Sequence, residues 1–173
     1  MKTRLLIASI IMAVIFLQGD VCHAAAKKKP AKPKAIVLKS LEAVPFKDFP
    51  AGIKETLNGQ VRDFEPDREI SIEEYIEIIG DEPVGYNIDL NGDKTMEFVV
   101  LLPEPETQMI LIIGKSEDKY LLTGEFWGEL EKFGPSKTKG YLDVFGQEFN
   151  QDTGEQEPWQ LSWDGDKYIQ KEK

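Results

Sequence analysis

Apolar residues recur along this 173-residue chain with three different spacings. Residues 5–17 form an unbroken apolar run apart from one serine. Between residues 48 and 80 the spacing is helical. Ile53, Leu57 and Val61 share one face of a first helix, with Asp48 placed to cap it, Pro50 near its first turn and Asn58-Gly59 to stop it. Ile72, Tyr75, Ile76 and Ile79 share one face of a second. There Ser71-Ile72-Glu73-Glu74 reads as a capping box, two acids suit the helix dipole, and Gly80 can take the left-handed position that ends the helix.

Beyond Pro83 the pattern turns to strands, expected at 86–90, 97–102, 108–113, 120–126, 141–149 and 159–163. In 141–149 the residues Tyr141, Asp143, Phe145, Gln147 and Phe149 lie on one face, with Leu142 and Val144 on the other. Asp164-Gly165 marks a hairpin leading to Tyr168-Ile169. The connections are short, with no long helical crossover, so the pairing is expected to be antiparallel. The fold class is therefore α+β, with short N-terminal helices packed on a mostly antiparallel β-sheet.

The apolar run changes the picture of which residues belong to the domain. Lys2 and Arg4 precede it, and Cys22-His23-Ala24-Ala25-Ala26 supplies small residues at a cleavage site, the order of parts in a secretory signal. At 13 residues the run rises about 20 Å as a helix, short of the roughly 30 Å hydrocarbon core. Three parts follow: a signal peptide over 1–26, a flexible leader rich in Lys, Pro and Ala over 27–35, and a single domain over 36–173. An exported protein, periplasmic or secreted, with no stable membrane insertion after cleavage, is the expectation.

Cleavage also removes Cys22 and His23, the chain's one cysteine and one histidine. The mature chain then has no thiol nucleophile, no disulfide and no imidazole base or ligand. Metal binding would use oxygen ligands, which points to calcium or magnesium. The leader carries five lysines and reads either as an attachment to an anionic surface or as a solvated linker. From Ala35 onward, 14 lysines and arginines stand against 30 acids, leaving −16. That field disfavours nucleic acid and favours cations or basic proteins as partners.

One segment, 89–97, carries a motif. Asp89, Asn91, Asp93, Thr95 and Glu97 place oxygen side chains at relative positions 1, 3, 5, 7 and 9. A loop that wraps alternate side chains around a hard cation needs this spacing. An EF-hand would have glycine sixth and a bidentate glutamate twelfth, where this chain has Lys94 and Val100. Two readings stand: a non-EF-hand site for one Ca²⁺, or a metal-free hairpin whose two-residue turn is Asn91-Gly92. The segment resembles the DxNGDxxxE loop of FG-GAP/VCBS-type modules, present here in a single copy. More broadly, residues 46–170 resemble a group of small exported bacterial domains. There a helical part precedes such a loop and strand, a Tyr-containing hairpin follows (here Lys119-Tyr120-Leu121-Leu122), and an aromatic-Asp-Gly hairpin closes the domain (here 163–168). The FG-GAP likeness implies calcium at the loop; neither likeness implies an activity.

The aromatics Phe126, Trp127, Trp159 and Trp163 read as strand core or as a sugar-binding surface. In 124–128 adjacent Phe126 and Trp127 point to opposite faces of a strand, so one is expected at the surface. The leading reading is an exported non-enzymatic binding module, with one Ca²⁺ at the Asp89–Glu97 loop. The alternatives are an inhibitor or binder of a basic extracytoplasmic protein such as a cell-wall hydrolase, and a carboxylate-based glycan hydrolase.

Overall fold

The computed structural model describes residues 34–61, 69–117 and 119–171. The expected signal peptide over 1–26 and the expected leader before Lys34 lie outside these residues. In chain order the elements are β1 (Ile36–Val37), β2 (Ala43–Pro45), α1 (Ala51–Asn58), α2 (Ile72–Ile79), β3 (Val84–Ile88), β4 (Glu97–Pro103), β5 (Gln108–Ser116), β6 (Lys119–Trp127), β7 (Glu129–Thr138), β8 (Tyr141–Asn150), β9 (Glu155–Trp163) and β10 (Tyr168–Gln170). Helix and strand are mixed, with strand predominating.

All strand pairings described are antiparallel, but they form two sheets where the sequence suggested one. The first has the order β2-β3-β4-β5-β6 and the second β1-β7-β8-β9-β10. The reason lies in β4 and β5, which are apolar on both faces. Phe98, Val100 and Leu102, with Met109, Leu111 and Ile113, face one core together with Phe46, Phe49, Ile53, Leu57, Ile72 and Tyr75. Val99, Ile110 and Ile112 face a second core with Leu130, Phe133, Val144, Trp159, Leu161 and Tyr168. A sheet with two apolar faces needs a cover on each. Helices and the N-terminal segment cover one face, and the second sheet covers the other. The chain crosses between sheets at Gly128, whose N–H donates to the Gln108 carbonyl at 3.0 Å.

The second helix follows its sequence signals. Ser71 is its N-cap and accepts a hydrogen bond from the Glu74 N–H at 3.1 Å. Gly80 ends it at φ 84°. Replacing Ser71 with alanine removes that acceptor, and a loss of about 1 kcal/mol is expected, about 3 °C in a thermal melt. A melt unchanged within 1 °C would contradict the cap's contribution.

The first helix differs from expectation at its start: Pro50, not Asp48, is its N-cap, and no side chain caps it. Asp48 instead ends a 3₁₀ turn, Phe46–Asp48, closed by the Phe49 N–H on the Phe46 carbonyl at 3.1 Å. Phe46 and Phe49 meet edge to face and are both buried. That aromatic pair fixes the turn and delays the helix by two residues. Asn58 then joins the helices, its Oδ1 accepting the Ile72 N–H at 2.7 Å.

Candidate functional site

The segment that carries the motif joins β3 to β4. Ile88 and Glu97 face each other as the last register pair, so the connection is the eight residues 89–96. This corrects the two-residue Asn91-Gly92 hairpin. The strands stop early because polar side chains, not cross-strand bonds, take up the loop's backbone N–H groups. Asp89 accepts from Gly92 (2.6 Å) and Lys94 (3.1 Å), Asn91 Oδ1 from Asp93 (2.7 Å), and Asp93 Oδ1 from Thr95 (2.6 Å). These are Asx-type closures, in which a short side chain replaces a strand partner. Gly92 at φ 89° and Lys94 at φ 72° bend the chain between them.

Glu97 sits at the foot of this loop. It is buried, 6% exposed, and its Oε2 accepts the Leu90 N–H at 2.7 Å. Burial raises its carboxyl above the ordinary range, and the negative charges of Asp93 and Asp89 push the same way against the hydrogen bonds that favour ionisation. Asp93 moves in the opposite direction, held low by the Thr95 N–H and then by the Asn91 amide. Three lysines approach: Lys94 lies in the loop, Lys137 Nζ on β7 donates to the Asn91 carbonyl at 3.0 Å, and Lys115 on β5 lines the space beside it.

A cleft of about 170 Å³ opens beside the loop. Asn91, Asp93, Thr95 and Glu97 all line it and Asp89 does not; the oxygens of Asp89, Asn91 and Asp93 all accept hydrogen bonds within the loop. Its opposite wall is aromatic. Tyr141 stacks on Trp163 with ring centres 4.2 Å apart, and Tyr168 meets both edge to face. The Asn91 amide donates to the Tyr141 hydroxyl at 3.2 Å and so ties the loop to the second sheet. Of the five residues expected at the site, the structure thus brings four to one cleft and sets the fifth to shaping it.

No family model, no curated protein and no solved structure matches the chain. The chemistry of the cleft rests on its own residues.

Among the described residues, no group of three or more acidic, histidine or cysteine side chains is placed to hold a metal ion. The donors that gather are mixed: carboxylates of Asp93 and Glu97, the amide of Asn91 and the hydroxyl of Thr95. Mixed oxygen donors suit calcium, which takes carbonyl, amide and carboxylate oxygens together. A glycan is a poorer match. Its sites are typically 300 Å³ or more, about twice this cleft, and hydrolysis needs two carboxylates flanking the scissile bond.

The sequence pointed to the loop but missed Tyr141, Trp163 and Lys137 as its neighbours. Each sits on a strand of the other sheet, about 45 to 70 residues away in the chain. Tyr141 was visible only as a member of an alternating strand, Trp163 as strand core or a sugar-binding aromatic rather than a neighbour of the loop, and no local signal marked Lys137.

Proposed function

We propose that this chain is an exported, non-enzymatic binding module whose Asp89–Glu97 loop holds one Ca²⁺. The observation that carries the reading is Glu97, a nearly buried carboxylate that shares its surroundings with two further negative charges at the foot of an oxygen-rich loop. A divalent cation offsets that repulsion, as Lys137 on the Asn91 carbonyl does only in part. Asp93, Glu97, Asn91 and Thr95 would hold the ion, with Asp89 keeping the loop closed around it. Bound calcium would supply a fixed positive charge that rigidifies the loop against the Tyr141-Trp163 wall. In this reading the short N-terminal helices are cover for the first sheet, and recognition belongs to the loop end.

Calcium is expected to raise the melting temperature of the mature protein. With Kd of about 10 μM, 1 mM Ca²⁺ adds about 2.7 kcal/mol, or about 8 °C at this size. Asp93→Asn should abolish most of the rise. No shift at millimolar Ca²⁺ would remove the metal from the proposal.

A second reading, an inhibitor or binder of a basic extracytoplasmic protein such as a cell-wall hydrolase, is favoured by the −16 charge from Ala35 onward. Binding of that kind falls steeply as salt rises, because screening removes the steering field.

A further inference from the structure

The two sheets part along one side of the molecule, where β6, an edge of the first sheet, runs near β10, an edge of the second. A cavity of about 310 Å³ lies there. Phe126 and Trp159, stacked 6.5 Å apart and 22° from parallel, line it together with Leu161 and Glu148. Glu125 and Trp127, which flank Phe126 on the other face of β6, also border it, and Trp127 is 48% exposed. Among the described residues no lysine or arginine lines it. It runs into a groove of about 440 Å³ whose walls are 122–126 of β6 and 167–170 of β10, with Lys167 as its one lysine among the described residues.

We propose that this slot receives an arginine side chain carried on an extended segment of a basic protein partner. The proposal rests on the second reading above and gives it a place, and it does not involve the calcium loop. The chemistry of the wall selects the guest. The half-buried ring of Phe126 offers a surface to the apolar stem and the planar guanidinium, since the faces of Trp159 are taken by Gly146 and Phe126. The half-exposed indole of Trp127 attracts a cation. Two glutamates in the lining match a group with several fixed N–H donors. The surrounding charge has the same preference, because a slot holding two acids within a domain of −16 repels anionic ligands and draws cationic ones. A neutral sugar stacks on tryptophan too, but it gains nothing from the negative field that draws a cationic guest. The extended shape of the guest follows from β6. It pairs on one side with β5, and among the described residues no strand pairs with its other side, which suits an added strand beyond Tyr120, whose carbonyl accepts from Thr56. A bulge opposite Ile112 and Ile113 limits that strand to a short run.

The test is calorimetric titration of the mature protein with a capped pentapeptide, Gly-Val-Arg-Val-Gly, at low salt, beside the same peptide with citrulline in place of arginine. The arginine peptide should bind, and citrulline should weaken it about tenfold or more. Glu125→Gln with Glu148→Gln should weaken it to a similar degree, and Trp127→Ala should add to the loss. A control pair of equal charge on the exposed surface of the helices, Glu55→Gln with Glu77→Gln, should change affinity less than about twofold. Equal binding of both peptides, equal weakening by the control pair, or binding of a chitin oligosaccharide alone would each overturn the proposal. If a basic protein binds the domain while the slot variants leave its affinity unchanged, the second reading survives and the slot assignment fails.

Discussion

Replacing Gly146 with alanine is expected to destabilise the fold by about 3 kcal/mol and to lower its melting temperature by about 10 °C. Gly146 lies in the middle of the second sheet, paired with Leu130 on β7 and Trp159 on β9. A Cβ placed there overlaps the Glu129 carbonyl oxygen and the six-membered part of the Trp159 ring. The first is backbone inside a paired strand, so it yields only if the ladder shifts. The second is a large ring, 5% exposed, stacked on Phe126. Even the Trp159 indole N–H goes without a hydrogen-bond partner among the described residues, and we take that to be the cost of laying the ring flat on the glycine. Urea melts of Gly146→Ala and of Gly146→Ala with Trp159→Leu separate the two clashes. The double variant should regain only part of the loss, because the carbonyl overlap remains. A wild-type midpoint for the single variant would show that the sheet gives way more readily than this geometry allows.

The second large effect is expected at Asp143. It is an acid on the outward face of the second sheet, yet it is only 1% exposed. Thr138 and Ser162 hydroxyls donate to one oxygen at 2.7 and 2.9 Å, and the Gln160 amide to the other at 3.2 Å. Burial works against its charge, but hydrogen bonds from Ser136, Thr138 and Ser162, with the charge of Lys171, outweigh it and hold the carboxyl below its ordinary value. Asp143→Ala removes the acceptor from all of these donors, and a loss of about 3 kcal/mol at pH 7 is expected. The pH dependence distinguishes charge from packing. A depressed folded-state value means that the stabilisation is complete above the unfolded range near 3.9 and disappears as pH falls through the folded value. The gap between wild type and variant should therefore be constant from about pH 6 upward and shrink progressively below about pH 4. A gap independent of pH would assign the effect to lost packing.

The elements that were legible in the sequence are those with a complete local signal. The second helix has a cap, an apolar face and a stopping glycine within ten residues. β4 is a run of consecutive β-formers, and β8 alternates as its burial requires: Leu142 and Val144 enter the core while Phe145 and Phe149 stay out. Phe126 and Trp127 also part as strand neighbours should, the first toward the second core and the second to the surface. β7 was missed altogether. Its ten residues contain two core contributors, Leu130 and Phe133, a polar Ser136-Lys137-Thr138 end and a Gly134-Pro135 pair, and its register slips twice against β8. Nothing in that stretch alternates, and only its neighbours make it a strand. Without β7 the second sheet loses the strand that joins β1 to β8, so the division into two sheets was out of reach as well. The same limit applied at the site. The loop announced itself through spacing, whereas its aromatic wall is assembled by sheet packing that no short window of sequence contains.

The first sheet's two apolar faces bear on where the molecule can be cut. Each sheet is nearly a continuous stretch of chain, 43–127 for one and 129–170 for the other apart from β1. By sequence alone the junction at Gly128 looks like a natural place to separate two modules. Stopping the chain there would keep the helices in place but leave Val99, Ile110 and Ile112 facing water, a sticky surface that invites self-association. The second half alone would lose the wall against which Phe133 and Leu161 pack, together with β1, which arrives from the opposite end of the domain. The halves are consecutive in sequence and still mutually dependent, so transplanting either into another protein requires a new lid for the face exposed by the cut.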